Sequence, residues 1–205
     1  MFNGSRNKLL APARRLLPGR LVRRFARAED AAAAVEFALV AAPFLALLFA
    51  ILETALVFFA GQSLEAAASN AGRLIMTGQA QSAGYASAAT FKSSVVCPGT
   101  GTILGSSSLF DCSKIQIDVK TYTDFASINT AAPITNGQLD TSQLCYAPGA
   151  AGSIEVVRFY YEWPIYLSLL NNNLGNLSNG SRLLVATAVF RNEPFGTTGN
   201  AGTCP

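Results

Sequence analysis

Histidine is absent from the 205 residues. That removes the commonest general base and a common metal ligand. Ser-His-Asp and Cys-His catalytic arrangements are therefore excluded, and a zinc site would have to use the four cysteines alone. Charge is also scarce. Only 13% of residues are Asp, Glu, Lys or Arg, against about 25% in an average soluble domain. Half of the residues are hydrophobic, so the chain has enough apolar material to escape disorder. Its length suits one ordinary domain, or one small domain plus an anchor.

The few charges are unevenly placed. Arg6, Lys8, Arg14, Arg15, Arg20, Arg23, Arg24 and Arg27 are eight of the fifteen bases, and no acid occurs before Glu29. A basic terminus is either a nucleic-acid arm or the cytoplasmic flank of a membrane segment. The following residues decide for the second. From Val35 to Ala60 the only charges are Glu36 and Glu53. The stretch from Phe37 to Ala60 would be about 36 Å long as a helix, enough to cross a hydrocarbon core of about 30 Å with some tilt. A secretory signal peptide is the competing reading, but its apolar core is usually only about 7–15 residues long. The expectation is a single-pass membrane protein. Its N-terminus is cytoplasmic, its distal domain lies outside the cytoplasm, and it has no nucleic-acid partner.

The helical pattern outlasts the apolar run. Leu64, Ala67, Ala68, Ala71, Leu74 and Ile75 recur at three- and four-residue steps. One helix from about Ala31 to Thr77 is expected, with Gly78 as its end signal and a kink at Pro43. Glu53 falls about 25 Å beyond Glu36 along such a helix. It is expected at the outer interface, solvated.

Glu36 stands just inside the apolar run, where a carboxylate is costly and usually has a partner or a task. A side chain snorkelling to the headgroups is the bland reading. The order is a basic leader, then Ala31-Ala32-Ala33-Ala34-Val35-Glu36-Phe37, then the membrane stretch. It resembles a type IV prepilin of the tight-adherence (Flp) branch, where Gly, a cut and four residues precede Glu-Phe or Glu-Tyr. Ala31 stands where Gly is usual. Near the other end, Ala186-Thr187-Ala188-Val189-Phe190-Arg191-Asn192-Glu193-Pro194-Phe195 is the sharper signal. Together the two segments resemble the TadE/TadG-like family. The resemblance implies a minor pilin or pseudopilin-like component that assists assembly of a tight-adherence pilus. Leader-peptidase cleavage would fall between Ala31 and Ala32. Glu36 and Phe37 would dock the subunit. Partners would be the inner membrane, the prepilin peptidase, and other pilins and pseudopilins. The competing class is a permanently anchored extracytoplasmic binding or scaffold module.

Beyond residue 80 the chain reads as β-rich. Residues 115–122 alternate apolar and polar with period two. Residues 154–163, stopped by Pro164, and 183–190 are two further strands. Ile165–Leu170 is expected to be a short helix or turn, and 98–109, 123–152 and 171–180 to be loops. The fold class is α+β and pilin-like, with a long transmembrane helix continuing onto a small antiparallel sheet. The domain plan is a basic leader at 1–31, the extended helix at 32–79 and the β-rich domain at 80–205. Either open edge of the sheet could accept a partner strand.

Cys97, Cys112, Cys145 and Cys204 all follow the membrane stretch. An even set in an extracytoplasmic domain reads as disulfides. Of the three connectivities, Cys97–Cys112 is favoured because it pins a local loop. Cys145–Cys204 would then staple the outer flanks of the second and third strands. No phosphate loop, metal motif or nucleophile elbow occurs, and the acids have no spacing that marks an acid/base couple. Tyr160, Tyr161 and Trp163 are read as core, with a surface adhesion patch as the sharper alternative. No enzyme activity and no cofactor are expected.

Overall fold

A computed structural model describes residues 29–97, 110–166, 174–196 and 204. The basic leader through Ala28, residues 98–109, where a loop is expected, and residues 167–173 lie outside the described residues, so the expected turn at Ile165–Leu170 is described only at Ile165 and Tyr166, which are not helical. The chain divides into two compact units, Met1–Leu48 and Phe49–Pro205.

Helix α1 runs from Glu29 to Met76 and contains Pro43. Ala and Leu, both good helix formers, are frequent in its first part. In the first unit its side chains from Ala32 to Leu48 are exposed, except for half-buried Ala41. The segment Ala32–Met76 is long and apolar enough to cross a membrane. The helix ends as Gly78 takes φ +75°, a left-handed conformation that glycine adopts without a Cβ penalty.

The second unit is built on a three-stranded antiparallel sheet. Strands β1 (Gln116–Tyr122), β4 (Ile154–Trp163) and β5 (Arg182–Arg191) lie in the order β1-β4-β5. Val119 stands opposite Val157, and Val157 opposite Ala188. One face of the sheet carries Ile117, Val119, Val157, Phe159, Tyr161, Trp163, Leu184 and Ala186, and these join the buried stripe of α1 in one core. Two short helices, α2 (Gln79–Ser82) and α3 (Ala88–Phe91), follow α1 and carry Ala80 and Phe91 into the same core.

The opposite face is not left to water. β4 is buried along nearly its whole length, because as the central strand it is covered on both sides. Tyr160 packs against Leu177 and Leu183, with Leu139 and Leu144 beside them. Asp118 and Arg158 form a buried ion pair at 3.3 Å. Arg158 also donates to the carbonyl of Asn129 at 2.9 Å, and Asp118 accepts from the Cys145 amide at 2.8 Å. The 123–152 stretch is thereby tied down. It is more than the loop expected from the sequence: β2 (Ile134–Thr135) and β3 (Gln138–Leu139) form a small hairpin. Its turn is Asn136-Gly137, both at positive φ. Asn-Gly between apolar residues is a strong hairpin signal, and it stands in the sequence in plain view.

The two sheet edges differ. Val119 donates to the Cys145 carbonyl at 2.7 Å, and Ala147 donates to Val119 at 2.9 Å, so residues 145–147 cover the outer edge of β1.

Candidate functional site: the long helix and its latch

Ala31 is the third residue of the described helix, so the Ala31–Ala32 bond lies within α1. Glu36 follows Ala32 by four residues, one turn along and on the same side. Ala32 and Glu36 are exposed, as is Phe37 at 75%. Among the described residues the Glu36 side chain makes no hydrogen bond or ion pair.

Further along, α1 acquires a buried stripe. It begins at Glu53 and continues through Val57, Ala60, Leu64, Ala67, Ala68, Ala71 and Ile75. Small side chains at 60, 67, 68 and 71 let the helix lie close on the sheet. The expected solvated Glu53 is overturned here. Its side chain is only 7% exposed, and its Oε1 accepts the Tyr166 amide proton at 2.5 Å. The reason is periodic: Glu53 stands four residues before Val57 and so falls on the face that packs. The hydrogen bond from that backbone N–H offsets part of the cost of burial.

The far end of the helix is held by the end of β5 and the residues that follow it. Phe190 covers Gly72, where a β-carbon would lie 2.8 Å from its Cε1. Phe195 covers Gly78 in the same way, with its Cγ 2.5 Å from a β-carbon position. Between them the Glu193 amide donates to the Met76 carbonyl at 2.9 Å, satisfying one of the carbonyls that every helix end leaves open. The segment Phe190-Arg191-Asn192-Glu193-Pro194-Phe195 is thus a latch on residues 72–78. The segment stands out in the sequence, but nothing local reveals what it grips.

Under the latch lies a buried polar knot. Asn192 is almost wholly buried and its side-chain amide donates to Ala150 at 3.0 Å and to Gly149 at 3.3 Å. Gln81 of α2 donates to the same Gly149 carbonyl at 3.1 Å. Glu155 is fully buried and accepts from the Gly149 amide at 3.0 Å, the Ser153 hydroxyl at 2.7 Å and the Thr121 hydroxyl at 3.1 Å. Burial raises the Glu155 pKa above its ordinary value, and those hydrogen bonds oppose the rise. The arrangement fixes the 149–153 turn beside the latch.

All four cysteines are paired. Cys97 is bonded to Cys112 and Cys145 to Cys204. The second bridge does not staple the flanks of β4 and β5. Cys145 lies along β1, and the Cys204 Sγ is 3.7 Å from the Val119 carbonyl, so the bridge ties the terminus to the covered edge of the sheet. Tyr160, Tyr161 and Trp163 are buried, and Phe110 meets both Tyr161 and Trp163 edge-on. They are core, and no adhesion patch is formed by them.

Residues 31–73 match the family of TadE-like proteins. No curated protein and no solved structure matches the chain. The matched segment covers the Ala31–Phe37 sequence, the exposed apolar half of α1 and most of its buried stripe. That likeness links the chain to tight-adherence (Tad) pilus-related function and its machinery.

Proposed function

We propose, from a TadE-like segment on a helix that is first exposed and apolar and then carries a folded domain, that the chain is a minor pilin or pseudopilin-like component assisting tight-adherence pilus assembly. The observation that carries this is the family match over 31–73, coincident with the long helix α1. The leader is cut between Ala31 and Ala32 by a prepilin peptidase. The new Ala32 amine then stands one turn from Glu36. In a low-dielectric setting Glu36 attracts the amine of a neighbouring pilin, whereas either charge alone is penalised. The pair sets the register of docking. The domain faces the periplasm and acts as a structural part, not a catalyst.

Intact-mass measurement of the membrane-extracted protein, with and without the peptidase, tests this. Loss of residues 1–31 only when the peptidase is present is the expected result. An uncut arginine-rich terminus in both samples would mean a fixed anchor instead.

A further inference from the structure

The two faces of α1 change character at different levels. On the face turned away from the sheet, Leu56, Phe58 and Phe59 are exposed, the two phenylalanines at 70% and 57%. Polar residues take over only afterwards: Gln62, Glu65, Ser69, Asn70 and Arg73 are exposed or half-buried. On the sheet-facing side, coverage by the domain already begins at Glu53. From Glu53 to Phe59 the helix is therefore apolar outside and protein-covered inside. Those six steps span about 9 Å.

A water-exposed helix would not keep large apolar side chains on that outer face while its next turns are polar. A lipid-facing one would. The domain end that reaches Glu53 is then level with lipid. That end carries Ile165 and Tyr166, with the Tyr166 amide fixed by Glu53 and its side chain 78% exposed. No charged residue occurs from Trp163 to Ser181. The next base, Arg182, stands opposite Trp163 at the same end of the sheet. Exposed tyrosine with a nearby base is the composition of a membrane–water interface.

We propose that the domain end carrying Ile165 and Tyr166 is a lipid-contact surface, seated in the phospholipid interface of the leaflet on the domain's side, with the Tyr166 ring among the headgroups. The proposal rests on reading α1 as a membrane span, and its consequence is that the domain cannot turn freely above the bilayer.

The test uses the full chain in phosphatidylcholine–phosphatidylglycerol vesicles whose acyl chains are brominated. Trp163 is the only tryptophan. Tyr166→Trp in a Trp163→Phe background places the probe at the proposed contact. Phe49→Trp and Phe125→Trp in that background report the span and the opposite end of the domain. The 166 probe should lose most of its emission to brominated lipid and resist iodide, and the 125 probe should do the reverse. A 166 probe as open to iodide as the 125 probe, with the 49 probe quenched by lipid, overturns the contact and leaves the span intact. A 166 probe shielded from both quenchers means a protein partner covers it, which also overturns the proposal. A 49 probe untouched by brominated lipid is instead the failure of the span itself. If Trp163→Phe does not fold, the unaltered chain answers through Trp163, three residues from Tyr166: partial quenching by lipid supports the contact, and none overturns it.

Discussion

The Phe190 ring occupies the space that a side chain at Gly72 would need. Helix and terminal strand therefore meet at a residue pair that fits only with one partner small. Gly72→Leu should destabilise the domain by about 1–3 kcal/mol through overpacking. Adding Phe190→Ala should recover part of that loss, with a coupling of about 0.5–3 kcal/mol. Urea unfolding of the detergent-extracted protein, followed by Trp163 fluorescence, measures both. Strict additivity of the two substitutions would remove the claim that they touch.

The two disulfides close loops of different length, with sequence separations of 15 and 59 residues. Chain-entropy arithmetic gives about 3 kcal/mol for the shorter loop and about 4 kcal/mol for the longer. The paired Cys145→Ser, Cys204→Ser variant should therefore lose more stability than Cys97→Ser, Cys112→Ser. Chemical denaturation of both double variants compares them. An equal or reversed order would show that the terminus is held by the latch rather than by its bridge.

Glu155 adds a pH dependence with a defined sign. Its folded pKa is raised above the ordinary value of 4.5 by burial. The group's contribution to stability is fully present below the unfolded pKa and is lost as pH rises through the folded one. The melting-temperature difference, wild type minus Glu155→Gln, should thus fall as pH is raised from about 4 towards neutrality. A flat difference, or one that grows with pH, contradicts a raised pKa.

Glu36 and Glu53 lie on one helix yet should respond differently. Glu36 is exposed and Glu53 buried. Glu36→Gln should leave the melting transition unchanged and lower co-purification with other pilins and pilus yield. Glu53→Ala leaves the Tyr166 amide without this acceptor and should cost about 1–3 kcal/mol of stability. Normal pilus assembly by Glu36→Gln would end the docking role of that carboxylate.

Much of this architecture is legible without coordinates, because it is local. A run of apolar residues bounded by Glu36 reads as a spanning helix, and its three- and four-residue recurrences carry the helix on to Met76. Period-two alternation marks Gln116–Tyr122, and the long runs Ile154–Trp163 and Arg182–Arg191 mark their strands. The Asn136-Gly137 turn is equally legible. What it closes is only two residues a side, too short for alternation to show.

The sequence by itself determined one long helix, three strands and the asymmetry of charge, since each follows from the spacing of neighbouring side chains. Tertiary structure alone decided that Glu53 is buried, that β4 lies between β1 and β5, that residues 145–147 cover one sheet edge, and that Phe190 and Phe195 close over Gly72 and Gly78. These depend on contacts between residues far apart in the chain, and a periodic pattern records which face of an element is apolar without recording what will cover it.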